Sequence, residues 1–442
     1  MSTKRLFVLP LIIFSLLIST ASAKSNSGYW FDATDLQLPK PTKVSQLNNG
    51  LRLVLLPLKR HPNQIAARLS IRYANPLNAQ QKLATTWVAL SIANDTQWSV
   101  EQHLDQTVFT LNLDDRNKHE LFDQLALLSD KLTKSDRLVQ LDNNTLIAAA
   151  SEKLSLAAQA SSQVKVEGLD YPQAITQFLP KLERLETVTS QDFNQVFHSY
   201  FTANQSSLIV VGDIHTRSVT DDIKMRFASW RRSTPMVTMQ PEYSLASEAA
   251  VADQNDAPYR LQISVLKQIT MDTDSKALRR DNLLDQMAAE LMVKRLANLM
   301  SFEHGEAVSL QTRYLTSDRA LLSITLTADS NQALQTLKDK IEADIDRVSA
   351  MSVSADEYYT VVQATKQRLK TSTFGDMSLF TSNQADMLVE AIRLGQVYLP
   401  TTEILELASF HAAHISEVDL SQRLIQLWTK PSIAVYTASN DS

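Results

Sequence analysis

Apolar and polar residues alternate cleanly from 65 to 73. Leu69, Ile71 and Tyr73 fall on one face, and Arg68, Ser70 and Arg72 on the other. A period of two predicts a half-buried β-strand. Upstream, Leu47-Asn48-Asn49-Gly50 has turn chemistry and leads into a second strand over 51–56. Downstream, 80–94 reads as a mostly apolar helix. A short strand at 107–113 precedes Asp114-Asp115-Arg116-Asn117 and a helix through Leu121, Leu125 and Leu128. Helices at about 140–160 and 189–201 follow, then a strand at 208–211.

The second half repeats this order. Thr189-Ser190-Gln191-Asp192 opens a helix with a hydroxyl at the N-cap and an acid three positions on. Ser416-Glu417-Val418-Asp419 opens another of the same kind, which makes 189 and 416 equivalent positions. Each helix gives way to an apolar strand, Leu208-Ile209-Val210-Val211 and Ile433-Ala434-Val435-Tyr436. Strand 107–113, its Asp-containing turn and its helix recur as 322–326, Asp329-Ser330-Asn331 and a helix from Gln332. Strand 65–73 recurs at 259–266. Complete units in the same order predict a duplicated α+β domain rather than two unrelated ones. The implied layout is 24–46 as an extended lead-in, 47–231 as the first domain, 232–257 as a polar linker without strand or helix periodicity, and 258–442 as the second domain. Each domain is expected to carry one mainly antiparallel sheet covered by helices on one face.

The segment 1–23 stands outside that fold. Lys4 and Arg5, the apolar run 6–18 and Ala21-Ser22-Ala23 form the secretory pattern, and the run is short for a membrane span. The expectation is a cleaved signal peptide over 1–23 and an exported protein, periplasmic in a Gram-negative host; an uncleaved anchor is the alternative. Composition removes several chemistries. With no Cys there is no disulfide, thiolate zinc site, iron–sulfur cluster or thiol nucleophile. Seven Gly, the closest two being Gly375 and Gly395, exclude phosphate loops and dinucleotide fingerprints. A net charge of −5 offers no basic surplus for nucleic acid.

An exported duplicated α+β chain with these landmarks resembles the pitrilysin/insulinase family of zinc peptidases, which includes the mitochondrial processing peptidases. Asn49-Gly50-Leu51-Arg52 is similar to the turn that opens the family's halves. Thr189–Asp192 and Val210-Val211-Gly212-Asp213 are similar to the close of its first half. The resemblance covers nearly the whole mature chain and implies a processing-peptidase-like fold: two homologous α+β domains.

Active members of that family carry the inverted zinc motif H-x-x-E-H on a helix, where two His at i and i+4 share one metal and the Glu acts as general base. No such motif occurs in this sequence. By register, Thr85 stands for the first His, Val88 for the base and Ala89 for the second His, and none of these can do the work. The third-ligand region falls near Ala149, Ala150 and Ser151, with Glu152 out of register. Registering Arg295-Leu296 on the family pattern puts Ser301 and Val308 where larger members use Arg and Tyr to hold the substrate carbonyl. Met287-Ala288-Ala289-Glu290 stands where the non-catalytic processing-peptidase subunit has a glycine-rich loop.

Other candidates have bland readings. His411 and His414 sit i, i+3 at a helix end, with no third ligand in view. His119-Glu120 belongs to the amphipathic helix of Leu121, Leu125 and Leu128. Glu303-His304-Gly305-Glu306 is a polar loop. Phe193, Phe197, Tyr200 and Phe201 recur at helical spacing as core. No G-x-S-x-G elbow exists. The expectation is therefore a pseudo-enzyme with no catalytic, cofactor or zinc-binding residues, acting as a non-catalytic partner of a zinc-bearing homologous peptidase. A stand-alone periplasmic peptide-binding or scaffold protein is the alternative, and an active zinc peptidase with displaced ligands a third. Extended peptides are the expected ligands, through addition to a sheet edge.

Overall fold

The computed structural model describes residues 31, 34–59, 63–73, 77–114, 118–134, 141–156, 164–166, 187–234, 243–245, 259–269, 273–299, 308–374 and 380–436. The expected signal peptide over 1–23, Ser301 and the loop 303–306 lie outside the described residues.

The lead-in is not merely extended: its end forms β1 (Lys43–Gln46). After it come β2 (Arg52–Pro57), β3 (Ile65–Arg72), α1 (Ala79–Ala93), β4 (Ser99–Gln102) and β5 (Gln106–Leu113). Then follow α2 (Lys118–Thr133), α3 (Asn143–Lys153), β6 (Leu154–Leu156), β7 (Val164–Val166), α4 (Ser190–Tyr200), β8 (Ser206–Gly212) and α5 (Thr216–Phe227). The helix expected to reach about 160 stops at Lys153, because Leu154 leaves helical geometry and pairs with β4 as β6. The linker contains β9 (Tyr243–Leu245), which pairs with β7. Polar composition hid this strand.

The second half holds β10 (Tyr259–Gln268), α6 (Lys276–Leu299), β11 (Val308–Thr316), β12 (Arg319–Ala328), α7 (Asn331–Ala350) and α8 (Ala355–Phe374). It ends with α9 (Thr381–Arg393), α10 (Thr401–Ala412), α11 (Glu417–Trp428) and β13 (Ser432–Tyr436). Both capping boxes form: Thr189 with Asp192 opens α4, and Ser416 with Asp419 opens α11.

The first sheet runs β1-β2-β8-β3-β5-β4-β6 and the second β11-β12-β10-β13. Within them, β8-β3-β5-β4 corresponds strand for strand to β13-β10-β12-β11. The registers agree: Leu69 faces Leu208 and Phe109 across β3, and Ile263 faces Ile433 and Ile324 across β10. The strands at 208–211 and 433–436 thus occupy equivalent positions, as the duplication requires. The first half adds β1, β2 and β6 around the shared unit. Parallel pairing of β6 closes the far side of β4.

Gly212 explains its own place in the Val-Val-Gly-Asp motif. Its φ of +129° is open to Gly and strained for other residues, and a Cβ there would sit 2.1 Å from the Gln64 carbonyl oxygen.

One expectation is overturned. β3 is not half-buried. Its outward face, with Arg68 and Ser70, is as buried as its inward face. The reason is α9, which crosses from the second half and lays Ala385, Leu388, Val389 and Ile392 against Val54, Leu56, Ala66, Val108, Ile209 and Val211. The first sheet is therefore covered on two faces rather than one. The buried Arg68 guanidinium is met by the Asp386 carboxylate at 2.6 Å, Asn112 Oδ1 at 2.9 Å and the carbonyls of Ala67, Leu111 and Ser382. The lead-in also crosses over: Thr34 donates to the Asp274 carbonyl at 2.5 Å, and Leu36 packs with Val397 and Leu399.

Replacing Arg68 by Ala strips donors from this buried seam and is expected to lower unfolding free energy by ~2–4 kcal/mol. Asp386→Asn keeps an acceptor oxygen but leaves the buried Arg68 charge without this carboxylate, and is expected to cost less, about 1–2 kcal/mol. Urea unfolding of both variants checks the order; equal losses would contradict it.

Candidate functional site

The helix that would carry a metal motif is α1. Asn78 caps it, its Oδ1 accepting from Gln81 N–H at 2.8 Å while the Gln81 side chain accepts from Asn78 N–H at 3.0 Å. Nearly every described side chain that follows is buried, so the helix lies inside the first half with α4 and α3 beside it. Thr85, Val88 and Ala89 are each 0% exposed. Thr85 turns its hydroxyl back to the Gln81 carbonyl at 2.6 Å. Val88 and Ala89 belong to the main core with Leu83, Trp87 and Leu90. All three positions are therefore interior positions of the first half. Ala149 and Ala150 on α3 join the same core, while Ser151 and Glu152 are exposed and Glu152 pairs with Lys153 at 3.7 Å.

The remaining sequence candidates separate. Val308 opens β11 and packs, half-buried, against the second core. Arg295, used to set that register, is a structural anchor: its guanidinium binds the Glu357 carboxylate and the carbonyls of Val348, Met351 and Ser352, tying α6 to the α7–α8 corner. Met287, Ala288 and Ala289 are core residues of α6. His411 is buried at the end of α10, whereas His414 is exposed beyond it with its Nδ1 2.7 Å from the Phe410 carbonyl. Phe193, Phe197, Tyr200 and Phe201 are core, as their spacing implies. Among the described residues no group of three His, Cys, Asp or Glu side chains could hold a metal ion.

What motif reasoning missed is a buried charge cluster at the first turn of α1. Lys82 donates to the His103 carbonyl and lies 5.4 Å from the centre of the Tyr73 ring. Asp105, in the turn between β4 and β5, receives the Arg393 Nε at 3.0 and 3.1 Å. Arg393 also donates to Glu390 at 3.2 Å and to the carbonyls of Tyr314 and Leu315 at 3.0 and 3.1 Å. Burial drives the Lys82 amine down to about 7, with Arg393 adding to the effect and Asp105 opposing it. Burial likewise brings His103 down to about 4, helped by Arg393 and Lys82. Burial would raise the Asp105 carboxyl, but the charge and hydrogen bonds of Arg393, with Arg72 and His103, hold it below the ordinary value. Tyr73 is pushed up by burial while its hydroxyl pairs with Thr107. The one sequence signal was a lysine in a mostly apolar helical run.

Residues 187–365, from the approach to α4 into α8, match the family model described as "Peptidase M16 inactive domain". The chain is similar to the probable zinc protease PqqL of Haemophilus influenzae, at 20% identity over 339 residues, which cover 73% of this chain and 36% of that protein. Its fold is similar to that of a "Predicted insulinase family protease from Yersinia pestis", with TM-score 0.69, 17% identity and coverage of 92% of this chain and 94% of that one. It is similar also to the first half of the periplasmic protease PqqL from Escherichia coli, with TM-score 0.67, 15% identity and coverage of 92% and 93%. The chain thus spans about a third of the curated relative's length. The resemblance to insulinase-type peptidases read from the turn, cap and strand motifs holds, and so does the two-domain α+β fold class.

The cluster makes a pH prediction. The Lys82 amine binds its proton less tightly in the folded chain than in the unfolded one, whose lysines titrate near ~10.4. Its contribution to stability is present above that value and is lost as pH falls toward 7, where it levels off. Lys82→Met is therefore expected to remove a rise in stability between pH 7 and 10 whose slope approaches ~1.4 kcal/mol per pH unit. Parallel urea unfolding of the two proteins across that range measures it; identical slopes would refute the assignment.

Proposed function

We propose that this chain is an exported, catalytically inactive relative of the insulinase-type zinc peptidases, serving as a non-catalytic partner of a zinc-bearing homologue. The observation that carries this reading is the interior of α1. Thr85, Val88 and Ala89 are wholly enclosed, and two of the three offer no ligating or proton-accepting atom. A zinc site of this kind needs imidazoles and a carboxylate open to a water and a substrate carbonyl. Here the same turn of helix is hydrocarbon against hydrocarbon, with the one hydroxyl bonded to its own backbone.

Loss of the metal with retention of two complete α+β units favours a wall or scaffold role. The match of 187–365 to an inactive-domain model accords with it. The lengths accord as well. This chain matches the first half of E. coli PqqL almost end to end and 48% of the complete protein, so a second body of similar size would restore that protein's extent. A periplasmic location follows the described home of the E. coli relative and the secretory pattern over 1–23. Among the described residues no helix is long and apolar enough to cross a membrane.

The expected results are these. The purified mature chain holds well under one zinc per molecule after dialysis and cleaves no extended peptide. Mixed with a zinc-bearing homologue from the same organism, it co-elutes and raises peptide turnover several-fold. Failure to co-elute with unchanged turnover would favour a stand-alone peptide-binding role. Chelator-sensitive cleavage by this chain alone would defeat both readings.

A further inference from the structure

The repeated four-strand unit ends in equivalent strands, β4 in the first half and β11 in the second. Val100 on β4 faces Phe109 as Leu310 on β11 faces Ile324. The two outer edges are finished differently. Among the described residues no strand pairs with the outer edge of β11, whereas β6 lies along the outer edge of β4. Leu154 stands beside Val100, Ser155 beside Glu101 and Leu156 beside Gln102, in parallel register. β6 is therefore an addition to the repeated unit and not part of it.

Its hold on β4 is slight. β6 is three residues long, against about five or six in an ordinary strand. Parallel pairing is also the weaker kind per residue. The N–H of Leu154 is already spent on the Ala150 carbonyl at the end of α3, so at most two amides of β6 remain for β4. The firmer anchors lie on the α3 side: Lys153 Nζ donates to the Thr96 carbonyl at 2.6 Å, and Leu154 packs, half-buried, against the main core.

The fit is incomplete as well. Gln102 is only 4% exposed, yet neither polar atom of its amide has a hydrogen-bond partner among the described residues. The Tyr73 hydroxyl near it is paired with Thr107. A buried amide that has lost water and gained no partner counts against the state that holds it. The register partner of Gln102 on β6 is Leu156, a residue type without a side-chain donor or acceptor. A strand with an amide or hydroxyl residue at that position would supply what is missing.

We propose that β6 is a plug: the chain's own segment fills a strand-accepting edge of the first sheet, and an extended polypeptide pairs with β4 only when β6 comes away. The occupant favoured there is a peptide with Gln, Asn, Ser or Thr at the position opposite Gln102. Backbone hydrogen bonds supply the pairing, and the Gln102 amide supplies the preference. The plug stands whether or not the chain partners a zinc-bearing homologue, because no step of it involves a second peptidase.

Ser155→Pro combined with Leu156→Pro removes both remaining amides of β6 and suits the extended backbone already present at Leu154. The probe is a fluorescein-labelled peptide of residues 151–157, used as it stands and with Gln in place of its Leu156, and read by anisotropy. Amide exchange over 65–72, 99–102 and 308–316 shows where the peptide lies. The expected result is binding to the doubly substituted chain at least ~tenfold tighter than to the unaltered chain, with the Gln form of the peptide the tighter of the two. In the doubly substituted chain exchange at 99–102 speeds up and slows again when peptide is added, while 65–72 stays protected. Leu156→Gln in the full chain is expected to slow exchange at 99–102 by ~threefold or more. Equal affinity for the two chains, peptide protection at 308–316 instead of 99–102, a loss of protection that spreads to 65–72, or exchange at 99–102 unchanged by Leu156→Gln would each overturn the plug.

Discussion

β3 is buried on both faces, and the arrangement of the two halves depends on how its outward side chains are satisfied. A strand that alternates apolar with Arg68, Ser70 and Arg72 ordinarily shows the polar set to water. Here α9 covers that set, and a guanidinium withdrawn from water must find acceptors or destabilise the fold. Arg68 finds them on both sides: Asn112 and two carbonyls from its own sheet, Asp386 and the Ser382 carbonyl from α9. At the far end of the helix Arg393 repeats the device in reverse, reaching from α9 to Asp105 in the first half and to two carbonyls of β11. Between these two arginines lies a strip of Ala, Leu, Val and Ile contacts. Apolar burial drives the docking, and the arginines fix where along the sheet it occurs.

This seam gives the duplication its asymmetry. The common unit of four strands is the same in each half, with β8 and β13 in matching registers. In the first half β2 extends the sheet beyond β8, and α9 finds a broad outer surface built from β2, β8, β3 and β5. The lead-in runs the other way, pinning Thr34 to the Asp274 carbonyl and Leu36 beside Val397. Each half thus donates a segment to the other, and neither sheet has the surroundings it would have alone.

Much of this architecture was legible in the sequence because local rules and tertiary packing agree there. The caps at Thr189 and Ser416, the turn at Asn49-Gly50 and the strand registers around Leu69 and Ile263 all follow from hydrogen-bonding chemistry and period. The misses share one cause: they are decided by contacts distant in sequence. The outward face of β3 looked solvated because its cover comes from the far half of the chain, where Asp386 meets Arg68. β6 and β9 are too short for periodicity and exist only through pairing with β4 and β7. At the candidate site, that no H-x-x-E-H motif occurs was readable residue by residue. The charge cluster was not, since Lys82, His103, Asp105 and Arg393 carry no spacing rule and meet only when the halves close.

The contrast between the polar and apolar parts of α1 says what kind of helix it is. A catalytic helix keeps its reactive side chains at a wet surface, at some loss of packing. α1 instead places Thr85, Val88 and Ala89 at full burial, where changing even one methylene alters the fit of close-packed neighbours. Its only buried cation, Lys82, is aimed not at a cleft but at the carbonyl of His103, on the hairpin that touches the second half. The polar chemistry of this helix thus positions the hairpin, and its apolar chemistry fills the core. Imidazoles placed at 85 and 89 would have to displace core atoms before any metal could be reached, so packing alone holds the helix in this role.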